Sequence, residues 1–202
     1  MTIADATNTS RTTTDIHAIE VTVDGRPEQG TVSSRTLLVH WLRDELDKRG
    51  PKIGCDTGNC GACTIRWDGR LAKSCMVLAV QADGTDVRTA ASLADEAGIL
   101  NPLQQCFKEH HALQCGYCTS GMLMTATDLL QSGEEITDRS VRRALKGNIC
   151  RCTGYENIVR AIRAAAGQDV PKPHGHEAAA VATAEAASAA AAEASSEKGE
   201  EQ

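Results

Sequence analysis

The placement of nine cysteines constrains this chain more than any other feature. They stand at Cys55, Cys60, Cys63, Cys75, Cys106, Cys115, Cys118, Cys150 and Cys152, two groups of four with one left over. An odd number excludes a fully disulfide-paired framework. The opening stretch, MTIADATNTSRTTTD, has neither an apolar h-region nor a twin arginine. No apolar run approaches the roughly 18 residues that a membrane span needs. The expectation is a cytoplasmic chain without a transmembrane segment, whose thiols stay reduced and serve metal or redox chemistry.

The first group lies in KIGCDTGNCGACT, residues 52–64, and Cys75 follows twelve positions after Cys63. A C-x4-C-x2-C run with a distant fourth cysteine has the spacing of a plant-type 2Fe-2S site. The loop must present three thiolates while its amides turn toward the sulfurs. Gly54, Gly58 and Gly61 supply the backbone freedom and close approach this requires. Cys55, Cys60, Cys63 and Cys75 are the expected ligands. Zinc is the alternative, although zinc sites usually pair two C-x2-C knuckles.

With one Phe, two Trp and two Tyr among 202 residues, any core is modest and gains from added cross-links such as metal sites. A net charge of −6, with no basic patch interleaved with aromatics, argues against nucleic acid as a partner. IHAIEVTVDG alternates apolar residues at Ile19, Val21 and Val23 and reaches the hairpin signal Asp24-Gly25. TLLVHWLRDEL puts Leu38, Trp41, Leu42 and Leu46 at helical spacing. TIRWDGRLAKSC predicts a second hairpin turning at Asp68-Gly69, with Cys75 ending its second strand. MVLAV and DVRT are further strand candidates. The expected result is a small mixed sheet over residues 16–90.

Beyond about Ser92 the pattern becomes helical. Asn101-Pro102 has the form of an N-cap followed by proline at the first helical position. Leu103, Cys106, Phe107 and His110 then share a face, making Cys106 a buried apolar residue rather than a ligand. His110 and His111 read as capping or surface residues at the helix end. The second cysteine group is LQCGYCTSGM and GNICRCTGYENI, each pair just before a helix. Met122, Ala126, Leu129 and Leu130 mark one face of the first helix. Thr153 and Glu156 predict a capping box for the second, followed by Ile158, Ile162 and Ala165. Between them, Thr137 is the expected N-cap of a short helix and Gly147 its C′ stop. Two helix starts facing Cys115, Cys118, Cys150 and Cys152 would stabilise the negative charge of a thiolate-bound diiron core. By spacing alone the same four could hold zinc.

GCDTGNCGACT, KSCMVLAVQADG, LQCGYCTSGM and GNICRCTGYENIVRAI, in this order over residues 16–166, resemble the small iron–sulfur subunit of molybdenum hydroxylases, the xanthine oxidase family. Within it they are most similar to aerobic carbon monoxide dehydrogenase. The chain departs from that pattern at Gly58-Asn59 and at Ser120, which stands where a proline is common. The resemblance implies an α+β architecture. Its parts are a disordered N-terminus (1–15), a β-grasp 2Fe-2S ferredoxin-type domain (16–90), a four-helix 2Fe-2S-binding domain (91–167) and a disordered tail (168–202). It implies two 2Fe-2S clusters and two partners: a large subunit with molybdopterin cytosine dinucleotide and a medium subunit with FAD, arranged as a dimer of heterotrimers. Electrons would pass from molybdenum through the helical cluster, then the ferredoxin cluster, to FAD. Gln114 and Cys152 would lie beside the pterin, and no catalytic residue would be on this chain. Relatives acting on N-heterocycles or aldehydes share these motifs and form the alternative to carbon monoxide as substrate.

The tail, HGHEAAAVATAEAASAAAAEASSEKGEEQ, is rich in alanine and glutamate and lacks a large apolar face. A free-standing ferredoxin would leave residues 92–166 without a purpose, and a zinc adaptor would carry no visible chromophore.

Overall fold

The structure, a computed structural model, describes residues 15–172. The expectations for the N-terminal stretch and the tail fall almost wholly outside those residues. Residues 15–170 belong to one compact unit.

Two hairpins begin the fold for local reasons. β1 (Ile16–Val23) pairs antiparallel with β2 (Arg26–Ser33), and β3 (Thr64–Trp67) with β4 (Arg70–Lys73). Their turns have positive φ at both central residues, Asp24 and Gly25 in one, Asp68 and Gly69 in the other. That geometry matches the right-handed twist of the strands and selects Asp-Gly. β5 (Asp86–Arg88) joins the hairpins, parallel to β1 and antiparallel to β3, giving the order β2-β1-β5-β3-β4.

Ile19, Val21, Val23, Val32, Ile65 and Val87 leave the sheet on one side and pack against Leu38, Trp41 and Leu42. Those three come from α1 (Leu38–His40) and the wider π turn Trp41–Glu45 that continues it. Gly30 of β2 makes room for the indole, since a Cβ there would stand 2.9 Å from Trp41 Nε1.

MVLAV is not a strand. Ser74–Met76 and Ala79–Ala82 are 3-10 turns, and between them only Leu78 pairs, with Leu37. The backbone groups here are taken by the segment before α1, through Leu38 N–H to Val77 O (2.7 Å) and Ala79 N–H to Thr36 O (2.7 Å). No ladder can grow from that. Cys75 accordingly lies in the turn after β4 rather than in the strand.

The second core is helical: α2 (Pro102–Glu109), α3 (Thr119–Gln131), α4 (Asp138–Ala144) and α5 (Glu156–Ala165) enclose Leu103, Phe107, Met122, Ala126, Leu129, Val141, Ile158 and Ile162. α2 starts as expected. Asn101 Oδ1 accepts from Gln104 N–H (2.8 Å), and Gln104 Oε1 accepts from Asn101 N–H (3.0 Å). Thr137 caps α4 through a reciprocal pair with Ser140.

The helices meet most of the expectations and correct two, those for Gly147 and for Thr153 with Glu156. His110 is the C-cap of α2, the capping role expected of it, and is buried there rather than at the surface. Met122, Ala126, Leu129 and Leu130 of α3 meet the helical core as expected, and the helix buries Leu123, Met124 and Thr125 as well. It packs on the helical core and on β3 at once, with Arg66 of β3 reaching Asp128 (3.0 Å) and Gln131 (2.7 Å). Gly147 closes a 3-10 turn (Leu145–Gly147) after α4 and is absent from the left-handed residues, so it is no C′ stop. Finally, Thr153 and Glu156 form no capping box. Tyr155, itself left-handed (φ 70), is the N-cap of α5, and Glu156 pairs with Arg142 and Arg160.

Candidate functional site

The loop from Cys55 to Cys63 is shaped by left-handed residues at Asp56, Gly58 and Gly61. These turn the Thr57 and Cys60 amides toward Cys55 Sγ, at 3.4 and 3.3 Å. The turn after β4 brings Cys75 Sγ to 3.3 Å from Cys63 Sγ, both buried against Val39. Gly54 is required by contact, since a Cβ there would meet Cys60 Sγ at 2.9 Å. Hydrogen bonds from the Thr57 side chain and amide, then the Cys60 amide, pull the Cys55 thiol down to about 6. Burial, followed by the bond with Cys63, pushes Cys75 up to about 11.

The second set gathers at the starts of two helices. Cys118 is the N-cap of α3, Cys115 precedes it, and Cys150 and Cys152 lie in the loop before α5. Cys152 Sγ stands 3.5 Å from Cys115 Sγ. Burial, then the bond with Cys150, pushes Cys118 up to about 12. Burial also raises Cys150, but the Thr153 hydroxyl and nearby amides outweigh it and leave this thiol below its usual value. Thr153 serves this sulfur, with Oγ1 at 3.1 Å and N–H at 3.4 Å from Cys150 Sγ, and its Oγ1 also accepts from Tyr155 N–H at 3.1 Å. Tyr155 braces the loop. Its hydroxyl accepts from Cys150 N–H (2.9 Å) and donates to Asn148 O (3.1 Å).

All eight thiols are free of disulfides, and they stand in twos: Cys55 with Cys60, Cys63 with Cys75, Cys115 with Cys152, Cys118 with Cys150. Among the described residues no three His, Cys, Asp or Glu side chains converge as a single ion would require. Twos fit a diiron core, with two cysteines for each iron, better than one zinc with four ligands. Crowded, partly buried thiols resist ionising alone, and a bound polycation removes that resistance. Cys106 is different: it packs half-buried against the helical core.

The two sets meet at a seam. A cavity of about 160 Å³ is lined by Cys60 from the first set, by Cys115, Cys118, Cys150 and Cys152 from the second, and by Gln114. Across it Ile149 N–H donates to Cys60 O at 2.8 Å, and Tyr117 OH donates to Ile53 O at 2.6 Å. Gln114 and Cys152 are both exposed on this lining, and Leu113, Tyr117 and Ile149 are exposed apolar side chains around it.

Three residues at the seam carry no sequence signal of periodicity or ligand spacing: Asn148, Tyr155 and Lys73. Lys73 Nζ donates to Gly58 O (2.6 Å) and Gly147 O (3.1 Å), spanning both cysteine segments. Only Tyr155 could have been suspected, as a rare aromatic beside a ligand motif.

Residues 89–163 match the family model of a 2Fe-2S-binding domain. The chain is 50% identical over 150 residues to the nicotine 6-hydroxylase small subunit of Paenarthrobacter nicotinovorans, covering 74% of this chain and 90% of that one. It is likewise 50% identical over 150 residues to caffeine dehydrogenase subunit gamma of Pseudomonas sp. strain CBB1, covering 73% and 89%. Among solved structures, quinoline 2-oxidoreductase from Pseudomonas putida 86 superposes with a TM-score of 0.71 at 42% identity, covering 77% of this chain and 99% of the matched one.

Proposed function

Because this chain belongs to the small iron–sulfur subunits of the molybdenum hydroxylases, we propose that it conducts electrons from a molybdenum–pterin partner to an FAD partner by way of two 2Fe-2S sites. The sites are Cys55, Cys60, Cys63 and Cys75 on the sheet side, and Cys115, Cys118, Cys150 and Cys152 on the helical side. A 2Fe-2S group supplies reversible one-electron chemistry and nothing else. The chain's own residues do the rest: loop amides at Cys55 and Cys150 favour negative charge on those sulfurs, and buried Cys63 and Cys75 exclude water.

The observation that carries this reading is the hydrogen bond from Ile149 N–H to Cys60 O. It joins a residue of the first set to the neighbour of Cys150 in the second, so the two sites form one short conducting path. The helical site stands on the donor side, since Cys115 and Cys152 are exposed beside Gln114, where a pterin edge could be met by an amide and a sulfur. The two cores support a division near residue 90 into a β-grasp ferredoxin part and a four-helix part. Free thiols in such number suit a reducing compartment such as the cytoplasm. No helix among the described residues is long and apolar enough to cross a membrane.

For the substrate, the names of the relatives favour an N-heterocycle over the carbon monoxide expected from the motif resemblance. Nicotine, caffeine and quinoline are all nitrogen heterocycles. The choice between them belongs to the large subunit.

The test is metal analysis followed by one variant. The intact chain is expected to hold about four iron and four sulfide, with no zinc and two distinct paramagnetic signals on reduction. In the complex, Cys60→Ser is expected to abolish steady turnover through FAD while a single reduction of the Cys115/Cys118/Cys150/Cys152 site by substrate persists. Zinc at either set, or normal turnover in a variant lacking the first site, defeats the proposal.

A further inference from the structure

We infer that Asn148 is a positioning residue that sets the spacing, and with it the electronic coupling, between the two cysteine sets; this rests on both sets holding clusters as proposed above. Asn148 is 5% exposed. Its Nδ2 donates to Gly61 O at 3.2 Å, and its Oδ1 accepts from Thr125 Oγ1 at 3.0 Å. The hydroxyl of α3 thereby aims the amide: with the oxygen held by Thr125, the nitrogen must face Gly61.

Gly61 lies between the ligand positions Cys60 and Cys63, and Asn148 lies two residues before Cys150. The next residue on each side of the seam is also paired, Ile149 N–H to Cys60 O. Two neighbouring hydrogen bonds therefore form a two-rung ladder between the cysteine segments. One rung is backbone to backbone, and the other is the Asn148 amide. The ladder closes on bare backbone: a Cβ at Gly61 would lie 2.2 Å from Gly147 O and 2.9 Å from the Asn148 side chain. Nothing in this gap can shift without moving a segment that carries thiols of one set against a segment that carries thiols of the other.

Electron transfer falls exponentially with separation, so loosening this rung should slow transfer without removing any ligand. The test uses the assembled complex with Asn148→Ala, Thr125→Val and Thr125→Ser. Thr125→Val removes only the hydroxyl that aims the amide, and Thr125→Ser restores it. Iron and sulfide per chain, the magnetic splitting between the two reduced clusters, and the rate of electron redistribution after a single turnover are read together.

Asn148→Ala and Thr125→Val are expected to keep full iron and both signals, to narrow the splitting, and to redistribute electrons several-fold more slowly. Thr125→Ser is expected to match the unmodified complex. If Asn148→Ala fails to assemble, Thr125→Val decides alone. Full iron with unchanged splitting and rate in Thr125→Val overturns the inference. An unmodified complex lacking the second signal would instead overturn the two-cluster proposal itself, so the two failures are told apart.

Discussion

Gly121, in the first turn of α3, lies against the carbonyl oxygen of Gly61 so closely that a methyl group at residue 121 would stand 2.0 Å from it. The helix that begins at Cys118 thus rests directly on the loop that carries Cys60 and Cys63. Gly121→Ala must push helix and loop apart, at about 3 kcal/mol, the upper part of the usual overpacking range. Gly84→Ala is the contrast. Its φ is +73° but open space surrounds it, so only the left-handed backbone penalty of about 1–2 kcal/mol applies. Denaturant midpoints of the two variants should rank in that order, with iron loss in Gly121→Ala alone.

Tyr155→Phe removes the hydroxyl that serves both Cys150 N–H and Asn148 O. Leaving two half-buried backbone groups without their partner is expected to cost about 1–3 kcal/mol. The helical site should release iron to a chelator faster than in the unmodified protein, while the sheet-side site keeps its rate. Equal release from both sites would count against this brace.

Lys73 places an ammonium group against two carbonyls at the seam, two residues before Cys75. A positive charge there favours the reduced, more negative state of an adjacent cluster. Lys73→Met is therefore expected to lower the midpoint potential of the sheet-side site, by on the order of tens of millivolts in this partly buried place. A potentiometric titration followed by the two paramagnetic signals measures it, and an unchanged or raised potential would contradict the expectation.

Cys106→Ala should leave iron, sulfide and both signals unchanged. The thiol packs half-buried against the helical core, and replacing it with a slightly smaller apolar group should cost at most about 1 kcal/mol. Loss of either signal would place the ninth cysteine among the ligands.

How much of this was legible in the chain divides by range. Asp24-Gly25 and Asp68-Gly69 announced their hairpins because a two-residue turn with both φ positive admits few other pairs. Asn101-Pro102 announced α2 because a cap needs only its own next three residues. Cysteine spacing announced the two sets because a loop must supply its thiolates from close positions.

Tertiary contact decided the rest. MVLAV has the composition of a strand, but its amides and carbonyls are claimed by residues 36–38 before a ladder can form. Thr153 has the spacing of a capping box, yet its hydroxyl is shared between Cys150 Sγ and the Tyr155 amide, and Tyr155 rather than Thr153 is the N-cap of α5. The apolar positions of α3 mark one face, and the helix is buried on two because β3 packs on the other. By itself the sequence determined which residues could ligate and where the chain must turn, since those depend on backbone conformations available to a few neighbouring residues. Only the tertiary structure decided that Cys60 would meet Ile149 and that Asn148 would close on Gly61. A hydrogen bond between distant segments follows from which backbone groups packing leaves unpaired, and no local pattern encodes that.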